Sequence, residues 1–202
     1  MKGCRPLTAE EITDCLNSFQ GKYKLRNQAM FILGMNTGYR VNELLSLKIK
    51  DIMPYSKIAD YVTVQRANMK KKIESRTMLM NETVKQYLKN YLDNFKEIYG
   101  KPIDKNYYLF KSQKSDNKAI STRQATGVLY MVYRNNEMTG KLATHTMRKT
   151  YAKNVHEKLG NDILKTQKAM GHKQITSTQQ YLSFDNKIID QAISDLNLGS
   201  KN

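Results

Sequence analysis

The stretch THTMRKTYA holds His145 and Arg148 three residues apart near the start of an expected helix. That spacing sends both side chains from one helix face towards a common ligand. A helix N-terminus also offers free N–H groups and a partial positive charge, which favour an anion such as a phosphate. The same His-x-x-Arg pattern describes a solvated arginine beside a histidine in a capping region, and the motif alone does not choose between them. In NTGYRVNELLSLK, Gly38 permits a tight turn between helices while Val41, Leu44, Leu45 and Leu47 bury the segment. Arg40 then stands at the edge of a core, where a guanidinium needs an anion or several acceptors. Glu43 can orient it, and an Arg40–Glu43 ion pair of purely structural purpose is the competing reading. A third stretch, MGHKQITSTQQYL, contributes His172 and Tyr181. Alone it is a polar helix end with a histidine, and Tyr181 is one tyrosine of 13.

Composition narrows the partners such a cluster could meet. The 202 residues suffice for one well-cored domain, and the expectation is a single unit over 1–202. Lys and Arg number 34 against 18 Asp and Glu, a net charge of +16 with a sequence pI near 9.7. A surplus of that size attracts polyanions, and nucleic acid is the commonest of these in a cell interior. No apolar run approaches the roughly 18 residues that span a bilayer, and MKGCRPLTAEE lacks the apolar core of a signal peptide. A cytoplasmic protein without a membrane partner is expected. Cys4 and Cys15 are the only cysteines, too few for a disulfide framework or a zinc site, and no cofactor or metal is expected.

The elements that must position these residues are mostly helical. Thr8 and Glu11 form a capping box ahead of a helix whose Ile12, Leu16 and Phe19 share one face. A more apolar helix, LRNQAMFILGMN, ends near Thr37 and Gly38, and RVNELLSLKIKDI reads as a short helix running towards a strand. In DYVTVQRANMKKKIESRTMLMN the period changes, predicting two antiparallel strands joined by a lysine-rich turn. TVKQYLKNYLDNFKEIYG reads as one continuous helix stopped by Gly100. Further helices are expected in STRQATGVLYMVYRNN, THTMRKTYAKNVHEKLG and NDILKTQKAMG, and an amphipathic helix over 185–198. The fold class predicted is mainly α with a small antiparallel β-sheet.

The order of these motifs, TGYRVNELLSL, a lysine-bearing hairpin, THTMRKT, then MGHKQITSTQQYL, resembles the tyrosine recombinase, or phage integrase, family from about Leu7 to Tyr181. Met170 stands where that family usually has Leu, while Gly171, His172 and Tyr181 keep the family spacing. The resemblance implies the fold of a DNA breaking and rejoining catalytic domain, and a site-specific, metal-independent recombinase or integrase working through a 3′-phosphotyrosyl intermediate. It implies that Arg40 and Arg148 hold the non-bridging phosphate oxygens, that Tyr181 is the nucleophile and that His145 accepts its proton. It further implies that His172 contacts the scissile phosphate and that a hairpin lysine protonates the leaving 5′ oxygen. Counting back from Arg76 favours Lys71, with Lys70 and Lys72 adjacent. His156 matches no position of the motif.

The chemistry needs these residue types. Breaking a phosphodiester without a metal takes a nucleophile, neutralisation of the developing phosphorane charge, and an acid for the departing oxygen. Guanidinium forks give permanent, directional charge, an imidazole with an ordinary pKa of about 6.5 can accept a proton near neutrality, and tyrosine can form the covalent link. Partners implied are double-stranded DNA, further copies of the chain in a tetramer on paired sites, and accessory DNA-bending proteins, with nucleoid association when DNA is bound. Arg40 comes too early to leave room for the N-terminal core-binding domain of longer members, so a short form or a catalytic fragment is expected. The 185–198 helix either exchanges between protomers or folds back on its own domain. Two competing functions are a non-cleaving DNA-binding accessory protein of the same fold and a type IB topoisomerase-like relaxing enzyme.

Overall fold

The computed structural model describes residues 3–68, 75–182 and 193–195. In chain order its elements are α1 (Ala9–Ser18), α2 (Lys24–Thr37), α3 (Val41–Ser46), α4 (Ile49–Ile52), β1 (Tyr61–Val64), β2 (Arg76–Leu79), α5 (Glu82–Asp93), α6 (Phe95–Tyr99), α7 (Thr122–Asn135), α8 (Thr144–Lys158), α9 (Ile163–Met170) and α10 (Ile175–Gln179). α2 is the central element, with every residue from Arg26 to Met35 buried. Its apolar run AMFILGM has no polar face, the signature of a helix covered on all sides. The polar side chains in its first turn bond inward: Arg26 donates to Asn27 and to the Lys111 carbonyl, and Gln28 donates to the Leu16 carbonyl. α5 and α8 flank α2. At Gly34 an added Cβ would come within 2.8 Å of Met147 Sδ, so this glycine sets how closely α2 and α8 approach.

The capping box at Thr8 is present: the Glu11 amide donates to Thr8 Oγ1 at 3.2 Å and the Thr8 amide to Glu11 Oε2 at 2.9 Å. α1 then packs against α7, and its Cys15 is buried, with Sγ 3.9 Å from Met138 Sδ. β1 and β2 form the expected antiparallel pair, with Tyr61 opposite Leu79 and Val64 opposite Arg76. The lysine-rich turn with Lys70, Lys71 and Lys72 lies outside the described residues, as does all but 193–195 of the expected 185–198 helix.

Two expectations change. The helix predicted from Thr83 to Gly100 is two helices, α5 and α6, parted at Asn94, which adopts φ −93° and ψ 9°. The Asn94 side-chain amide donates to the Asn90 carbonyl at 2.8 Å, a local bond that competes with the helical ladder while the apolar period runs on through Phe95 and Ile98. RVNELLSLKIKDI likewise forms two short helices, α3 and α4, because Leu47 between them is extended at φ −67° and ψ 142°.

The turn at Gly38 bears most directly on the site. Gly38 caps α2 in the left-handed region at φ +61°, and an added Cβ would lie 2.3 Å from Tyr151 Cδ1 on α8. Gly21 also has positive φ, +75°, but nothing within 4 Å of an added Cβ. Gly38→Ala should therefore lower unfolding free energy by about 3 kcal/mol, through strain and overpacking together, and Gly21→Ala by about 1 kcal/mol through strain alone. Urea unfolding of the two variants measures the difference.

Candidate active site

α3 begins at the turn that Gly38 makes, and its first residues fix Arg40. The Glu43 carboxylate accepts from the Arg40 backbone amide at 2.8 Å and from Arg40 Nη1 at 2.9 Å. Glu43 is 1% exposed and the Arg40 side chain 31%, so a buried carboxylate aims a half-exposed guanidinium outward. The ion pair weighed against a phosphate role is thus present, and it leaves Arg40 on the wall of a cleft.

α8 supplies the opposite wall. His145 is exposed in its first turn, Arg148 is 2% exposed, and the next residues as far as Ala152 are buried against α2 and α9. The cleft, about 370 Å³, is lined by Arg40, Glu43, Asn68, Thr144, His145 and Arg148. Arg148 Nη1 donates to the Gly38 carbonyl, and Nη2 donates to the Met170 carbonyl at 2.9 Å. Its Nε is buried and makes no hydrogen bond among the described residues. Burial first, then the charges of Arg76 and Arg40, pull Arg148 down to about 10, which leaves it a cation at neutral pH. A guanidinium held by carbonyl dipoles and short of full partnership is a strong attractor for an anion.

α9 ends at Gly171, in the left-handed region at φ +63°, and turns the chain back so that His172 meets Arg148. His172 Nε2 lies 2.8 Å from Arg148 Nη2 and Nδ1 lies 2.9 Å from Thr178 Oγ1. An arginine only donates, so Nε2 is the acceptor and the ring proton sits on Nδ1, pointing at Thr178. Burial, then Arg148, Arg40 and Arg76, push His172 down to about 4, so it is neutral under ordinary conditions. In this arrangement His172 orients Arg148. The contact with a phosphate that the family resemblance implies would need the proton on Nε2 and the loss of that bond.

Tyr181 follows α10. Its ring lies over the Arg148 guanidinium at 5.4 Å and 5.3 Å from the His172 ring, and it packs beside Tyr151, Met170 and Leu182. The structure therefore brings Arg148, His172 and Tyr181 into contact within one chain, and Arg40 and His145 to the same cleft as Arg148. Lys71 lies outside the described residues. His156 is elsewhere, its Nδ1 2.9 Å from Thr166 Oγ1. Sequence reasoning missed Thr178, whose position on the buried side of α10 was its one signal, and the part played by the Gly38 and Met170 carbonyls, which no side-chain pattern encodes. Among the described residues no group of three or more His, Cys, Asp or Glu could hold a metal ion, and no helix is long and apolar enough to cross a membrane.

The depressed His172 has a thermodynamic consequence. Unfolded, it binds a proton below about 6.5, and folded only below about 4, so the folded state loses stability as pH falls between those values and none further below. From pH 7 to 4.5 the wild type should lose about 1 to 2 kcal/mol more than His172→Gln does, a figure reduced for the partial exposure of the ring. Urea unfolding of both proteins at the two pH values gives that difference directly.

The described residues thus form a helical fold with a short hairpin, in which arginines at helix ends lie beside a histidine and a tyrosine. The chain belongs to the phage integrase family, which it matches over residues 5–187. Tyrosine recombinase XerC of Caldanaerobacter subterraneus subsp. tengcongensis is 29% identical over 188 residues, 93% of this chain and 50% of that protein. The probable integrase/recombinase YoeC of Bacillus subtilis is 29% identical over 160 residues, 79% of this chain and 78% of that protein. The chain spans about half the length of the XerC it matches. Among solved structures, XerH recombinase bound to palindromic difH substrate superposes with TM-score 0.73 at 24% identity, covering 96% of this chain and 54% of that one. The catalytic domain of bacteriophage HP1 integrase gives TM-score 0.58 at 17% identity and 98% coverage of both chains. Those structural likenesses establish the fold.

Proposed function

We propose that this chain is the catalytic domain of a site-specific DNA recombinase that cuts and rejoins double-stranded DNA through a 3′-phosphotyrosyl link to Tyr181. The observation that carries the reading is the stack of Tyr181 over an Arg148 guanidinium that also holds His172, beside a cleft walled by Arg40 and His145. Arg40 and Arg148 approach a phosphodiester from two elements and neutralise the charge that grows on its non-bridging oxygens. Tyr181 Oη attacks phosphorus, its proton passing to His145, and the bond to the 5′ oxygen breaks as Lys71 supplies a proton to it. The phosphotyrosine keeps the energy of the broken bond, so a 5′ hydroxyl can reverse the step without a cofactor.

The position of Tyr181 against Arg148 of its own chain supports cleavage in cis. Recombination of paired sites would engage four copies, with DNA-bending proteins arranging the sites, in the cytoplasm and on the nucleoid. The net charge of +16 supports the polyanion partner, whose affinity should fall steeply with salt. The test is covalent capture on nicked duplexes tiled across the sequences flanking the coding region. A 3′-linked protein–DNA adduct at a preferred sequence is expected. Binding with no adduct at any site would leave the non-cleaving accessory protein, and sequence-indifferent relaxation of supercoiled plasmid by the monomer would leave the topoisomerase-like enzyme.

A further inference from the structure

β2 opens with a charged residue whose side chain points inward. Arg76 is 8% exposed, and its bonds go to backbone carbonyls: Nη2 donates to Thr37 and to Ala169, both at 2.9 Å, and Nη1 to Gly38 at 3.4 Å. These carbonyls belong to the C-terminal ends of α2 and α9, which carry the negative ends of the two helix dipoles. The guanidinium lies 5.1 Å from the Tyr39 ring centroid. A Cβ added to Gly171, the cap of α9, would come within 3.1 Å of Arg76 Cδ, so the stem is enclosed as well.

Arg148 uses the same pair of helix ends. It shares the Gly38 carbonyl with Arg76, and on α9 it takes Met170 where Arg76 takes Ala169. Two like charges are thereby held close together in the interior: burial lowers both, Arg76 lowers Arg148 further, and among the described residues neither pairs with a carboxylate. Burying two like charges is costly, and the carbonyls at the two helix ends are what offset that cost. A fork with several fixed N–H groups can tie carbonyls from two helices at once, which the compact ammonium of a lysine cannot.

We propose that Arg76 is a positioning residue: it clamps the hairpin to the ends of α2 and α9, and so sets the spacing of the Gly38 and Met170 carbonyls that aim Arg148 and, through it, His172. The proposal rests on the recombinase reading for its catalytic consequence, but not for its structural one.

Two measurements on Arg76→Gln and Arg76→Lys separate those consequences. The first is ¹⁵N NMR of the Arg148 guanidinium with titration of the His172 ring, in the free protein. In both variants the restricted Arg148 resonances should average, and in Arg76→Gln the His172 midpoint should rise by at least half a pH unit because a cation has been removed as well. The second is single-turnover adduct formation on the nicked duplex, which should slow at least 30-fold in both variants while DNA affinity stays within about threefold. Should Arg76→Gln fail to fold, Arg76→Lys keeps the charge and carries both measurements. Unchanged Arg148 resonances in a folded variant, or full cleavage by Arg76→Lys, would overturn the clamp. Absence of adduct in the wild type would overturn the recombinase reading instead and leave the NMR result to decide on Arg76.

Discussion

Tyr181→Phe should bind the nicked duplex with unchanged affinity and form no covalent adduct, a loss of at least about 10⁴-fold in strand cleavage. The change removes one oxygen. The ring that lies 5.4 Å from the Arg148 guanidinium and packs beside Tyr151, Met170 and Leu182 is kept, so the local packing should survive. A fold that tolerates the substitution makes the readout clean: denaturing electrophoresis of labelled DNA shows a slowed protein-linked band for wild type and none for the variant. The chain holds 13 tyrosines, so 12 are alternatives to Tyr181, and burial already disposes of several. Tyr39, for instance, is 1% exposed and its hydroxyl is engaged with the Val62 and Arg76 carbonyls. Burial pushes Tyr39, Tyr91 and Tyr133 up, making each a poorer source of phenolate. An undiminished adduct in Tyr181→Phe would remove Tyr181 from the mechanism and send the search to exposed tyrosines such as Tyr55 and Tyr61.

What could be read from the sequence was local. The Thr8 capping box, the Arg40–Glu43 pair and the alternation of β1 and β2 each depend on residues within a few positions of one another, and side-chain type encodes them. The break at Asn94 was hidden because the apolar period continues across it while a side-chain amide turns the backbone. The way the site is held together was hidden for a different reason. Arg148 reaches Gly38 across 110 positions and Arg76 reaches Ala169 across 93, in both cases to a carbonyl, a group every residue has. Motif spacing therefore gave the cluster Arg40, His145, Arg148, His172 and Tyr181, yet said nothing of what aims Arg148. That information lies in two left-handed glycine caps, Gly38 and Gly171, and in an arginine buried at the start of a strand whose Leu79 is exposed.

Arg148→Lys tests that aim most severely. The lysine keeps the positive charge but cannot serve the Gly38 carbonyl, the Met170 carbonyl and His172 Nε2 together, as the guanidinium does. His172 then loses the donor that fixes its ring, and a phosphate loses a directional partner where charge develops during attack. Cleavage should fall about 10³-fold, the scale set by removing a preorganised donor, while DNA affinity, spread over a basic surface, drops by no more than about fivefold. Two buried carbonyls left poorly paired should also cost about 2 kcal/mol in urea unfolding, so activity is to be measured well below the unfolding midpoint. Mixing Arg148→Lys with Tyr181→Phe then decides the geometry of attack. If Tyr181 serves the phosphate held by its own Arg148, no protomer in the mixture has a complete site and adduct stays at background. If instead a neighbour supplies the tyrosine, protomers with intact Arg148 receive an intact Tyr181 and a substantial fraction of the adduct returns. The contact of Tyr181 with Arg148 and His172 inside a single chain favours the first result, and recovery of adduct in the mixture would overturn the assignment in cis while leaving both residues in the reaction.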